Sequence, residues 1–294
     1  MKAISNILLV LFLMIGLYSC QREIEIELPN AEDLIVVEGR IEVGKSPIIF
    51  LTKNRGFFKE FPSDLTTLIA EFVIQDAIVT VSDGIQSEIL EFTINLNAYP
   101  FVYYTGTLIK GEIGKSYTLS IQANGKNLSA TTFIAPPIAI DSSWFDLNPF
   151  DVNEDSLGLS YSTISDPDTF GNSYRIFAKR NSEFTYYPVS GGAFNDEFVN
   201  GQKINFFCGQ GEKPFESSGD FVPEEFFYIL GDTIFLKLTS IGRAEYDFYA
   251  TLDQAINSNG NPFAAPTLVK SNIEGGLGVW CGFSVSYDTL RAIN

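Results

Sequence analysis

The sequence predicts a mainly β protein: an N-terminal β-sandwich over residues 30–137, then a larger β-rich domain over 138–294 that carries one helix. Three observations predict it. Short apolar runs recur between residues 30 and 135, separated by the turn signals Asp83-Gly84 and Asn124-Gly125. Pro136-Pro137 then interrupts the pattern and marks a domain boundary. Beyond it, only residues 243–256 repeat their apolar side chains at the spacing of a helix face.

The elements follow in chain order. Glu23-Ile24-Glu25-Ile26-Glu27-Leu28 alternates strictly and stops at Pro29, as a half-buried or edge strand does. Leu34 to Val37 and Ile48 to Leu51 are β-branched runs suited to a sandwich core. Ala77 to Ser82 enters the Asp83-Gly84 turn, and Glu88 to Ile94 returns from it. Tyr117, Leu119 and Ile121 alternate up to Asn124-Gly125, and Leu128 to Ile134 reads as the paired strand. About seven short strands of this kind describe one sandwich. In the second half, strands are expected at Leu157 to Ile164, Tyr174 to Lys179, Phe226 to Leu230 and Thr233 to Leu238, with Gly231-Asp232 as a turn. The helix at Arg243 to Ile256 puts Tyr246, Tyr249, Leu252 and Ile256 on one face and stops at Asn259-Gly260. Core packing explains those aromatics better than a ligand site does.

The first twenty-five residues address the chain. Lys2 precedes nine apolar residues, Ile7 to Ile15, a run too short to span a bilayer but suited to the core of a signal peptide. Leu17, Ser19 and Cys20 then stand as in a bacterial lipoprotein signal, where residues 1–19 are removed and the cysteine is acylated. The alternative is an ordinary secretory signal with an incidental cysteine. Bacterial lipoproteins carry several acyl chains, and more than one chain is what stable anchoring requires. Residues 20–29 then form the lipidated N-terminal segment.

Composition excludes several functions. The chain has no histidine, and both methionines, Met1 and Met14, lie in the signal. Serine or cysteine nucleophiles with a histidine base are therefore excluded, as are histidine-ligated metal sites. The net charge of −17 argues against nucleic acid as a partner. Apart from Cys20 there are two cysteines, Cys208 and Cys281. Beyond the inner membrane the compartment is oxidising, so a disulfide between them is expected, closing a loop of about 70 residues and stabilising by roughly 3–5 kcal/mol. The alternative is two buried thiols acting as small hydrophobes.

Candidate chemistry is sparse. Asp166, Asp168 and Asn172 surround a glycine turn, and hard cations such as calcium take several oxygen ligands at one point. The loop lacks the later bidentate glutamate of an EF-hand, so ordinary turn chemistry is favoured. The acidic loop Asp151-Val152-Asn153-Glu154-Asp155 reads the same way. A glycosidase needs two carboxylates across a cleft, but among 36 acidic residues no pair stands out. Trp144 and Trp280, with Tyr103, Tyr104, Tyr186 and Tyr187, could stack on a sugar ring, although aromatics in β proteins are mostly core. The glycines between Ser271 and Gly278 suit a positive φ or a close backbone approach better than a phosphate cradle.

The string Asn261-Pro262-Phe263, Pro266, Ser271-Asn272-Ile273-Glu274-Gly275-Gly276-Leu277-Gly278-Val279-Trp280 resembles the Bacteroidota lipoprotein family catalogued as domain of unknown function 4249. Residues 23–29, Val36-Val37-Glu38-Gly39, Gly114 to Leu119, Phe198-Val199-Asn200-Gly201-Gln202 and Gly231-Asp232-Thr233-Ile234 with Tyr246-Asp247-Phe248 match its pattern in order. The resemblance covers nearly the whole mature chain. It implies an immunoglobulin-like or carboxypeptidase-regulatory-like N-terminal sandwich and company with TonB-dependent transporters of the SusC type; no cofactor is expected. It carries over no catalytic residue. Gln21, Arg22, Glu23 and Glu25 also resemble the lipoprotein export signal of this phylum, which implies display on the outer face of the outer membrane; the other reading is that they only begin the first strand. The expected function is a non-catalytic binding accessory of such a transporter. The alternatives are a structural subunit of an outer-membrane assembly or secretion complex, and a carboxylate-dependent glycan hydrolase.

Overall fold

The computed structural model describes residues 33–54, 64–95, 99–147, 156–181, 183–213, 222–258, 265 and 267–293. The segment expected to hold the signal and the anchor, with Cys20, Gln21, Arg22, Glu23 and Glu25, lies outside the described residues. So do the acidic loop 151–155 and residues 259–264. The unit spanning Asp33–Asn294 is compact.

Fifteen strands are described. The first seven are β1 (Ile35–Glu42), β2 (Ile48–Lys53), β3 (Ile78–Ser82), β4 (Ser87–Ile94), β5 (Val102–Thr105), β6 (Ser116–Ala123) and β7 (Lys126–Phe133). The others are β8 (Ile140–Leu147), β9 (Leu157–Ser165), β10 (Ser173–Arg180), β11 (Tyr187–Asn195), β12 (Lys203–Cys208), β13 (Tyr228–Ile229), β14 (Thr233–Ile241) and β15 (Leu277–Arg291). Three helices accompany them, α1 (Leu65–Phe72), α2 (Pro223–Phe226) and α3 (Arg243–Ser258). The fold is mainly β and sandwich-like. Eleven strands share one sheet in the order β11-β10-β14-β15-β1-β2-β5-β4-β3-β6-β7. The second sheet is built on β9, with β12 and β13 along one edge and β8 along the other.

The N-terminal strands alternate as the sequence predicts. In β6 every second residue is buried, and Tyr117, Leu119 and Ile121 join Ile35, Val37, Ile41, Val79, Val81 and Leu128 in one cluster. Asn124 and Gly125 both take positive φ (51° and 71°), the conformation that a two-residue hairpin needs between twisted strands. A second cluster, around Tyr174, Ile176, Tyr228, Ile234 and Leu236, fills the C-terminal half. The interior thus changes near Pro136-Pro137, but the last strand belongs to both halves.

That strand, β15, lies parallel to β1 and antiparallel to β14. Its alternate side chains serve different clusters. Trp280 enters the N-terminal core and Leu290 packs on the C-terminal one. Val279, Cys281 and Phe283 face the third cluster, with Tyr249 of α3. The division at residue 137 is therefore a change of core within a shared sheet rather than a cut between separate bodies.

Two details depart from the sequence reading. The single expected helix becomes three, because Asp64 caps α1 by accepting a hydrogen bond from Thr67 N and the apolar run behind it coils. The strand expected at Phe226 to Leu230 shrinks to the two residues of β13, since Pro223 starts a helical turn just before it.

Helix α3 is tied to the sandwich through a buried carboxyl. Glu245 is 4% exposed and accepts a hydrogen bond from Thr132 Oγ1 (2.6 Å), which itself accepts from Gly282 N (2.8 Å). Burial raises the Glu245 pKa above the usual carboxylate range, partly opposed by the Thr132 hydroxyl. A carboxyl raised in the fold binds more protons folded than unfolded. Its contribution is therefore complete below the unfolded value and is lost as pH rises through the folded one. Glu245→Gln keeps an acceptor for Thr132 and removes the ionisation. Denaturant titrations should show the variant more stable than wild type at pH 8, with the difference closing towards pH 4.

Candidate functional site

Two loops flagged separately in the sequence meet at one end of the second sheet. The β9–β10 loop, Asp166 to Asn172, and the β11–β12 loop, Asp196 to Gln202, are joined by backbone hydrogen bonds from Asp166 N to Gln202 O (2.9 Å) and from Asp196 N to Asn172 O (3.1 Å). Their buried carboxylates complete the join. Asp196, 1% exposed, accepts from Gly171 N (2.8 Å) and Asn172 N (2.9 Å). Asp166, 6% exposed, accepts from Gly201 N (3.0 Å) and from the Tyr174 hydroxyl (2.5 Å). Buried carboxylates that satisfy several donors hold a loop in one shape, because opening the loop would strand the carboxylate and the backbone N–H groups it serves. On this scaffold Phe170 and Phe198 stand 72% and 89% exposed, with Asp168 and Glu197 exposed beside them.

The calcium candidates are occupied by the protein itself. Asp166 serves Tyr174 and Gly201, Asp168 accepts from Asn200 Nδ2 (3.4 Å), and the Asn172 amide donates to Thr169 O. Among the described residues no group of three His, Cys, Asp or Glu side chains is placed to hold a metal ion. The sequence reading missed Asp196, whose role shows only when the two loops are brought together.

A buried ion pair ties the first sheet together. Glu42, at the end of β1, is paired with Lys237 Nζ (2.5 Å) and Lys45 Nζ (2.6 Å), and accepts from the Tyr287 hydroxyl (3.0 Å). Burial pushes Glu42 up, yet the two lysines outweigh it and its pKa falls below the ordinary value. Burial brings Lys237 down to about 8 against the pull of Glu42. The Lys237 ammonium also lies over the rings of Phe177 (5.2 Å) and Phe283 (5.6 Å). This ion pair links β1 to β14 across β15.

The Ser271–Trp280 motif is a latch. Asn272 brackets Trp280 by accepting from its backbone N (2.9 Å) and donating to its O (2.8 Å), and the Trp280 indole donates to Tyr117 O (2.9 Å). Glu274 exchanges two backbone hydrogen bonds with Ser129 of β7. Gly39, from another matching motif, has no Cβ because one would stand 2.8 Å from Trp280 Cε3. The aromatic candidates do not converge. Trp280 and Tyr104 are buried and Tyr103 is half-buried, while Tyr186 and Tyr187 lie at the start of β11. Only Trp144, on β8, is substantially exposed.

The expected bridge between Cys208 and Cys281 is corrected: both are free and fully buried. Cys208 ends β12 and packs beside Tyr228, whereas Cys281 lies in mid-β15 among Tyr249 and Phe283, in a different cluster. Burial pushes the Cys208 thiol up to about 12 and the Cys281 thiol well above its ordinary value. Thiols buried in this way behave as inert core side chains. Unreduced protein should take no iodoacetamide at these positions when folded and two equivalents when denatured, as read by intact mass.

No curated protein matches the chain. A family model described as "Domain of unknown function (DUF4249)" matches residues 21–288. With that match spanning the sandwich, the paired loops and the Trp280 latch, the chain belongs to the DUF4249 family.

Proposed function

We propose that this protein is a lipid-anchored, non-catalytic binding subunit on the outer face of a Bacteroidota outer membrane, docked to a TonB-dependent β-barrel transporter. The observation that carries this reading is the hydrogen-bonded loop pair with Phe170 and Phe198 turned to solvent. A pre-ordered loop loses little freedom on binding, and aromatic anchors supply most of the energy of a protein contact. The flanking Asp168 and Glu197 favour a protein rim with cations over an anionic lipid surface. The lipoprotein signal ending at Cys20 supports the anchor, and the Gln21-Arg22-Glu23 start supports the outward display. The described buried acids, lysine and thiols serve packing and loop closure, and the chain has no histidine.

In mild detergent the protein should migrate with a much larger barrel. The double variant Phe170→Ser/Phe198→Ser should stay folded and membrane-bound but lose that barrel, while Cys20→Ala should leave the protein unanchored in a strain lacking the barrel. A double variant that still co-migrates with the transporter, or wild-type protein that migrates alone, contradicts the proposal.

A further inference from the structure

The outer face of the second sheet carries a row of three aromatics, one from each of three neighbouring strands. Trp144 of β8 pairs with Tyr161 of β9, which pairs on its other side with Phe207 of β12. The Trp144 and Tyr161 rings lie nearly parallel, 15° apart with centroids at 5.6 Å, and Phe207 follows at 6.3 Å and 55°. Trp144 is 39% exposed and Phe207 58%. With strands about 4.8 Å apart, the row spans about 10 Å. Parallel rings whose centroids are this far apart are displaced sideways, so each leaves part of a face uncovered.

The next row along the same strands is polar and uncharged. It holds Ser142, Thr163 and Asn205, with Thr163 Oγ1 donating to Asn205 Oδ1 (2.6 Å). On the other side of Trp144, the exposed Asp146 carboxylate accepts the indole N–H (2.8 Å) and so fixes the ring.

From this juxtaposition we propose that the Trp144–Tyr161–Phe207 row is a binding site for a linear oligosaccharide, two rings of which lie along it. A pyranose ring is apolar on its C–H faces and rich in hydroxyls at its rim. It therefore matches a strip of aromatic faces flanked by amide, hydroxyl and carboxylate groups. A hydrocarbon chain would strip water from Asn205, Thr163 and Asp146 and offer their remaining polar valences nothing in return. Nucleic acid, whose bases also stack on aromatics, is repelled by a chain of net charge −17. The inference deepens the binding role proposed above by naming a ligand class, and it uses a different surface from the Phe170–Phe198 loops.

The chain has only two tryptophans, and Trp280 is fully buried with its indole held by Tyr117, so Trp144 reports on this site alone. Full-length protein in detergent would be titrated with cellohexaose, maltohexaose and mannohexaose, following the indole N–H signals and tryptophan emission. The expected result is a saturable shift of the Trp144 signal with at least one hexasaccharide while Trp280 stays fixed. Phe207→Ala should weaken that binding at least tenfold with the melting temperature unchanged, and Trp144→Phe should retain part of it by calorimetry. No Trp144 shift with any of the three sugars at millimolar concentration would overturn the proposal, as would binding that survives both Phe207→Ala and Trp144→Ala. Loss of the sugar response with the barrel complex intact sinks only this inference; loss of the complex with the sugar response intact sinks only the transporter reading.

Discussion

The structure depends on how closely β15 approaches β1. A Cβ at Gly278 would stand 1.9 Å from Val37 O, and the residue holds φ at +107°, so both space and backbone conformation require glycine. Only at that distance does the parallel ladder from Val36–Leu277 to Glu42–Phe283 close. The ladder then fixes everything that hangs on β15. Trp280 fills the volume left by Gly39, Phe283 and Cys281 meet α3, and Leu290 reaches the far core. The buried Glu42–Lys237 pair adds a second tie across the same strand. Removing one partner of such a pair costs about 3–5 kcal/mol because it strands the other charge.

This arrangement separates the parts of the sequence that make the fold from the parts open to function. The most distinctive motif, Ser271 to Trp280, is consumed by the latch: its asparagine clamps a strand, its glycines admit neighbouring backbone, and its tryptophan is core. The two surfaces proposed for binding lie in the C-terminal half, on the paired loops and on the second sheet. Both use side chains whose exposure the fold does not need. Phe170 and Phe198 stand on loops held by carboxylates beneath them, and Trp144 stands on a strand whose inward neighbour Phe145 already packs the core.

Much of the N-terminal sandwich was legible because one face of each strand is buried and the other wet, which writes a period of two into β6 and β7. The Asn124-Gly125 turn was legible for the same local reason. The second half was harder. In β9 and β10 successive residues are buried on both faces, so the alternation disappears, although their apolar runs still placed both strands within a residue of their observed bounds. Strands β8 and β12 alternate mostly between half-buried and exposed positions, β11 keeps no clean period, and β15 hides behind glycines that read as a loop. The disulfide was inferred from compartment and cysteine count, neither of which carries the positions of the two strands. The partnership of Asp196 with the 166–172 loop is a contact between distant segments, invisible to any local pattern.

Through β15 the two cores should open as one cooperative unit in spite of the change of core at Pro136-Pro137. Hydrogen exchange of wild-type protein and Gly278→Ala, followed peptide by peptide under mild denaturant, tests it most directly. β6–β7 and β9–β10 should open with a common free energy in wild type, and Gly278→Ala should lower protection in both together. Loss of protection confined to residues 33–134, with β9, β10 and β14 still native, would contradict it.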